Sequence, residues 1–263
     1  MIIEFFKYHG AGNDFVLIDN REGIFNAGVD IVAFLCDRHF GIGADGLMLL
    51  ESSDDYDFKM RYFNSDGREA TMCGNGGRCI AAFARRLGIV HRKTVFIASD
   101  GIHNAEISGD FPELYVKLGM ADTDISSLKE NPFFLDTGSP HHLVFEDDIQ
   151  NIDVEKEGAG IRYSDRYRSA GGANVNFIKQ VSSSVIEIRT YERGVEAETL
   201  ACGTGATAAA IAAAVRDNRT KAKISVKARG GILEVGFEII DNFARNIYLA
   251  GPAREVFNGR IEI

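Results

Sequence analysis

Cysteine is scarce in this chain of 263 residues: there are four, at positions 36, 73, 79 and 202. They are too few and too scattered for the disulfide framework of a small secreted domain. No CxxC pair or His/Cys cluster has metal-ligand spacing, so no metal site is expected. Long apolar runs are also missing. The one near the N-terminus is broken by Lys7 and His9, which leaves neither a signal-peptide core nor the roughly 20 apolar residues of a spanning helix. Nor is there a basic excess. A net charge of −9 and a pI near 5.2 disfavour nucleic acid and anionic membranes, which both demand a basic face, while leaving room for a small anionic ligand. What is present, 45% hydrophobic and 25% charged residues, suffices for one or two cores. A cytoplasmic protein with reduced thiols is the expectation.

The chain repeats itself. The stretch 61–76 ends in Met72-Cys73-Gly74-Asn75-Gly76, and the stretch 189–205 ends in Ala201-Cys202-Gly203-Thr204-Gly205. Both pass from a strand ending in aromatics, through a polar turn, to Cys-Gly-x-Gly. Each motif then opens an alanine-containing helix. The first runs from Arg78 to about Leu87 and is closed by Gly88; the second runs from Ala206 to about Val215 and is closed near Asn218. A looser match relates 9–16 to 137–144. The cysteines lie about half the chain apart, which points to duplication of a whole half.

Short β-rich segments bounded by turn residues cover 58–63, 94–97, 114–118, 176–178, 185–191, 223–226 and 246–249. The stretch 206–215 is apolar on every side except at Thr207, as in a buried helix. The expected fold is therefore α+β, with two pseudo-symmetric domains, each a mostly antiparallel sheet wrapped around a central helix. The domains would span residues 1–120 and 121–250, with a cleft between them facing both Cys-Gly-x-Gly turns.

Inverting a stereocentre by proton transfer requires a base on each face of one carbon, and a duplicated chain meeting about a pseudo-two-fold axis supplies that geometry. A free cysteine thiol ionises only near pH 8.5 or so, but a helix N-terminus activates it. Glycines beside each cysteine bring backbone N–H groups close to a ligand, where two helix N-termini would hold a carboxylate. Cys36 and Cys79 read as apolar filler. A nucleotide-phosphate cradle is disfavoured, because neither copy has the Walker lysine or a full GxGxxG after a parallel strand. His141 reads equally as structural or as tuning thiolate charge. Asn13, Asn64 and Asn174 are compatible with turns, and Glu192-Arg193 with an exposed ion pair.

The two cysteine motifs, Tyr191-Glu192-Arg193-Gly194, and the opening His9-Gly10-Ala11-Gly12-Asn13-Asp14-Phe15 closely resemble those of diaminopimelate epimerases, over nearly the whole chain. The resemblance implies interconversion of LL- and meso-2,6-diaminopimelate without pyridoxal phosphate or metal, on the route to lysine and peptidoglycan, by a homodimer. It makes Cys73 and Cys202 the acid–base pair. It places the reacting carboxylate on the amides of Gly74, Asn75, Gly203 and Thr204. Asn13, Asn64, Asn174, Glu192 and Arg193 would bind the rest of the substrate, while His141 and Glu192 would tune the thiols. The strand 251–263 would return to the first domain. Ser139 and Gly46 depart from the family pattern, standing where some members have Asn and Gln. Proline and hydroxyproline racemases share the paired-cysteine layout but typically carry His at the position of Asn75. A non-catalytic anion-binding protein is a third reading, disfavoured because binding alone needs no thiols.

Overall fold

Apolar residues early in the chain come in runs, as at 15–18 and 47–50, rather than in strict alternation. Such runs need strands covered on both faces. A computed structural model describes residues 1–26, 28–129 and 133–263, and in it those strands have a helix on each side. The chain forms two units, Met1–Leu118 with Ala250–Ile263, and Gly119–Leu249.

The first unit contains β1 (Ile2–Gly10), β2 (Asn13–Asp19), α1 (Val29–Cys36), β3 (Gly46–Glu51), β4 (Phe58–Asn64), β5 (Glu69–Ala70), α2 (Gly74–Arg86), β6 (Lys93–Ala98), β7 (Gly101–Asp110) and β8 (Glu113–Gly119). The pairs β1–β2, β3–β4 and β6–β7 are antiparallel, whereas β2–β3 and β4–β6 are parallel. The chain's last residues close the ring, since Gly251 pairs with Val116 of β8 and Glu262 with Ile2 of β1. The result is a closed eight-stranded barrel. Its lumen is filled by α2, buried from Gly74 to Ala84. Alternation along β2 and β3 sends Val16, Ile18, Leu47 and Leu49 outward, where Val32, Leu35 and Cys36 of α1 cover them.

The second unit repeats this order with β9 (Thr123–Asp124), β10 (Phe133–Asp136), β11 (Pro140–Phe145), α3 (Val154–Arg162), α4 (Asp165–Arg168), β12 (Asn174–Ser182), β13 (Val185–Glu192), β14 (Ala197–Thr199), α5 (Gly203–Arg216), β15 (Lys221–Ala228), β16 (Gly231–Ile240) and the start of β17 (Phe243–Glu262). Its pairings match one for one: β10–β11, β12–β13 and β15–β16 antiparallel, β11–β12 and β13–β15 parallel. The helix α5 is wholly buried from Gly205 to Ala214. It can be, because alanine combines high helix propensity with little bulk. Thr207, its one polar interior residue, bonds back to the Gly203 carbonyl at 3.0 Å, so no polar group is left unsatisfied there.

Both central helices begin one turn earlier than the sequence suggests, at Gly74 and Gly203 rather than at Arg78 and Ala206. Glycine is a poor helix former in isolation, but here the first turns are buried and tertiary packing outweighs propensity. The C-terminal ends lie where expected: Gly88 (φ 72°) and Asn218 (φ 54°) take the left-handed conformation that stops a helix. No helix is long and apolar enough to cross a membrane among the described residues.

Candidate active site

Each helix start has the same backbone. Cys73 and Cys202 are N-caps in extended conformation (φ −101°, ψ 135° and φ −112°, ψ 115°), and their carbonyls accept the N–H of Gly77 and Ala206. The first-turn N–H groups of such helices lack intrahelical partners and carry the positive end of the dipole. Both cysteines are partly exposed, whereas Cys36 and Cys79 are buried. Burial pushes the thiols of Cys36 and Cys79 up to about 12, so they stay protonated and unreactive. The filler reading of those two holds.

Around Cys73 the side chains come from the β1–β2 hairpin and from α2. Asp45 can only accept, and it takes a hydrogen bond from Nδ2 of Asn13 at 2.7 Å. The other side of that amide, Oδ1, therefore faces inward. It accepts from Nδ2 of Asn75 at 3.2 Å and lies 3.7 Å from Sγ of Cys73. Arg38 bridges Asp45 to Asp14, and Lys7 pairs with Asp14 and donates to the Gly43 carbonyl. Burial would raise the Asp14 carboxyl, but the bonds from Arg38 and Lys7 outweigh it and hold it at about 2. Deeper in, the fully buried Arg78 donates to the Gly74 carbonyl and to Oδ1 of Asn75. Its guanidinium makes no ion pair among the described residues.

Around Cys202 the chemistry differs. Sγ lies 3.5 Å from Oγ1 of Thr204, and that hydroxyl lies 2.9 Å from Nε2 of the fully buried His141. Nδ1 of His141 meets Nδ2 of Asn176 at 3.1 Å. Burial first, and the charge of Arg193 second, push His141 down to about 3. The next residue, His142, bonds Tyr167 at 2.6 Å and is pushed down to about 4 by burial and by Arg166. Thr199 donates to Glu192 at 2.8 Å.

The structure thus gathers Asn13, Gly74 and Asn75 at Cys73, and His141, Gly203 and Thr204 at Cys202. Asn174 serves its neighbours: Nδ2 donates to Ser139 and to the Pro140 carbonyl, and Oδ1 accepts the N–H of Arg193. Ser139 is long enough for that bond. Asn64 sits exposed at the end of β4, with its backbone in the Asn64–Arg68 turn. Arg193 donates to the Gly172 carbonyl at 3.3 Å and forms no ion pair among the described residues, which removes the exposed ion-pair reading. Gly46 has a steric reason: a Cβ there would stand 2.5 Å from the Phe63 carbonyl oxygen and 2.6 Å from the Tyr62 ring. A longer side chain would push β4 away.

Sequence reasoning passed over the buried roles of Arg78, Asn176 and Thr190, and over the Thr204 hydroxyl. A clue to Arg78 existed, since it is the one charge among small and apolar neighbours at 74–84. No local signal marks Asn176 or Thr190.

A duplicated α+β unit with a partly exposed cysteine capping each buried central helix defines a protein of the racemase and epimerase fold. Solved structures agree at the level of fold. The chain is similar to a PhzF-family phenazine biosynthesis protein of Bacillus anthracis (TM-score 0.75, 18% identity, all of both chains covered) and to a hydroxyproline epimerase of Agrobacterium vitis (TM-score 0.70, 14% identity, 99% of this chain and 91% of that one). At the level of sequence, the diaminopimelate epimerase family model matches residues 5–123 and 133–256. The chain is 50% identical to the diaminopimelate epimerase of Flavobacterium psychrophilum over 98% of its length and all of the relative. It is 43% identical to that of Chlorobaculum tepidum, with 97% and 99% covered. The chain belongs to the diaminopimelate epimerase family and is an isomerase acting on amino acids.

Proposed function

We propose that this protein interconverts LL- and meso-2,6-diaminopimelate by two-base proton transfer at the α-carbon, with Cys73 and Cys202 as the acid and base. The observation that carries the reading is the duplicated placement of a partly exposed cysteine at the N-cap of a buried helix. With the α-carbon held between the two sulfurs, one thiolate removes the proton from one face and the other thiol returns a proton from the opposite face. The roles exchange with direction. The α-carboxylate rests on the amides of Gly74, Asn75, Gly203 and Thr204, where helix N-termini favour an anion. The buried charge of Arg78 behind the first turn of α2 favours it further. Negative charge flows into that carboxylate as the carbon turns carbanionic, so the same donors stabilise the transition state.

Arg193 supplies a planar two-point grip for the distal carboxylate, and its lack of an ion pair among the described residues supports that assignment. Asn13, Asn64, Asn174 and Glu192 complete the substrate site, while His141 and Glu192 adjust the thiols. The thiols carry the protons, so no cofactor is assigned. The product serves lysine and peptidoglycan synthesis in the cytoplasm, and the active form is a homodimer. The test is solvent-deuterium incorporation into diaminopimelate by the purified protein without added cofactor. Exchange at the α-carbon is expected with diaminopimelate and not with proline or hydroxyproline; exchange with proline alone would assign the racemase reading instead.

A further inference from the structure

The hydrogen bonds behind Cys202 can be oriented by elimination. The His142 carbonyl can only accept, and the Asn176 side-chain atom 3.2 Å from it is therefore the NH₂ group. Oδ1 of Asn176 then points the other way, to the hydroxyl of Thr190 at 3.0 Å, which donates to it. The second N–H of Asn176 is aimed at Nδ1 of His141, 3.1 Å away, so Nδ1 carries no proton. A neutral imidazole with a bare Nδ1 holds its proton on Nε2, and Nε2 donates to Oγ1 of Thr204 at 2.9 Å. The Thr204 hydroxyl accepts there and keeps its own proton to donate, with Sγ of Cys202 3.5 Å away.

We propose that Asn176, backed by Thr190, is a positioning residue that locks His141 in its neutral Nε2–H form, so that Thr204 donates permanently to Cys202 and stabilises its thiolate. This rests on the two-base reading above and adds what it leaves open, namely which thiol is ionised at rest. Asn176 also bars a second proton from His141, because an Nδ1–H would meet an N–H head on. His141 is thus a fixed donor and not a proton carrier. The fit is tight, since a Cβ on Gly205 would stand 2.5 Å from Oδ1 of Asn176 and 3.3 Å from Cε1 of His141. Around Cys73 the arrangement is reversed, with the carbonyl oxygen of Asn13 turned toward the sulfur, which suits a protonated thiol. The titratable groups on surrounding elements reinforce or ignore the chain of bonds. Arg193 disfavours protonation of His141, His142 is engaged with Tyr167, Glu192 is held by Thr199, Glu198 by Arg189 and Arg229, and Asp136 by the Gly138 N–H.

Two measurements without substrate test this. Long-range ¹H–¹⁵N correlation spectra of the wild-type protein should show His141 as the Nε2–H tautomer throughout pH 5.5–8. An imidazolium or an Nδ1–H form in that range overturns the proposal. Alkylation of the wild-type protein by iodoacetamide, with peptide mapping, should give a lower midpoint pH for Cys202 than for Cys73. Thr204→Val should raise the Cys202 midpoint by about one pH unit, the scale of losing one hydrogen bond to an anion, and Thr204→Ser should restore it. An unchanged Cys202 midpoint in a folded Thr204→Val protein, or a Cys73 midpoint below that of Cys202 in the wild type, overturns it. Asn176→Ala should lower kcat several-fold with KM little changed. Because the spectra and midpoints involve no diaminopimelate, their failure is separate from failure of isotope exchange.

Discussion

The two halves share a backbone plan and differ in what stands behind the cysteine. Counting from each cysteine, Asn75 corresponds to Thr204, Gly76 to Gly205 and Arg78 to Thr207. Arg78 and Thr207 even bond the same carbonyl, that of Gly74 in one half and Gly203 in the other. Yet the first half offers Cys73 an amide oxygen, with a buried cation farther back, while the second offers Cys202 a hydroxyl backed by a neutral histidine. Duplication supplies two equivalent positions, and divergence of a few side chains makes them unequal. On the proposed two-base reading one sulfur is ionised while the other is protonated, and this inequality sets which of them is ionised at rest.

The comparison breaks first at the sulfurs. Replacing either Cys73 or Cys202 with alanine should lower epimerisation in both directions by on the order of 10²–10⁴-fold or more, the scale of a lost acid–base group, with the fold intact. Separation of LL and meso products measures it, and activity within tenfold of wild type in either variant would remove the two-base mechanism. Next comes Arg193, whose counterpart in the first half, counted back from the cysteine, is the uncharged Asn64. Arg193→Ala should cost about 2–5 kcal/mol in kcat/KM, with kcat falling alongside affinity because distal binding positions the α-carbon. Arg193→Lys should raise KM clearly. Steady-state kinetics on diaminopimelate decide both.

A smaller effect separates the equivalent glycines. A Cβ on Gly205 would strike the Asn176–His141 pair, whereas one on Gly76 would meet the flexible ends of Met48 and Met60 at 3.2–3.7 Å. Gly205→Ala should therefore destabilise by about 1–3 kcal/mol, an overpacking cost. In Gly76→Ala a helix-propensity gain of up to about 1 kcal/mol offsets the methionine shift. Chemical denaturation of the two variants tests the contrast, and equal losses would mean the second half is no more tightly packed than the first.

The smallest is a pH effect centred on His141 in the second half. Burial holds His141 down at about 3, so below about pH 6.5 the unfolded chain binds a proton that the folded one refuses. Stability is therefore full at neutral pH and falls as pH drops, by up to about 1.4 kcal/mol per pH unit for this one site. Against burial, the hydrogen bonds and charges of Arg38 and Lys7 hold the Asp14 carboxyl of the first half at about 2, so its contribution is full above the ordinary carboxylate range, about pH 4, and is lost as pH falls from there to about 2. Hydrogen exchange at pH 5 should show β11 and β12 loosening before β1 and β2; the reverse order would count against a buried neutral His141.

The motifs, read locally, were enough for the duplication, the capping cysteines, the helix ends at Gly88 and Asn218, the buried character of α5 and the inertness of Cys36 and Cys79. Each depends on interactions within a few residues of chain: a cap, a left-handed stop, or apolar faces all around a helix. The early helix starts were missed because glycine propensity is overridden by burial of the first turn. Everything that distinguishes the two thiols was decided by tertiary structure. His141, Asn176, Thr190 and Thr204 come from four elements, β11, β12, β13 and α5, and meet because parallel and antiparallel registers bring them level. Hydrogen-bond direction passes along that chain of side chains from the His142 carbonyl, and composition or spacing carries no trace of it. The same holds for Gly46, set by the approach of β4, and for Arg193, whose lack of a carboxylate partner among the described residues is a matter of which side chains the turn at 193–196 faces.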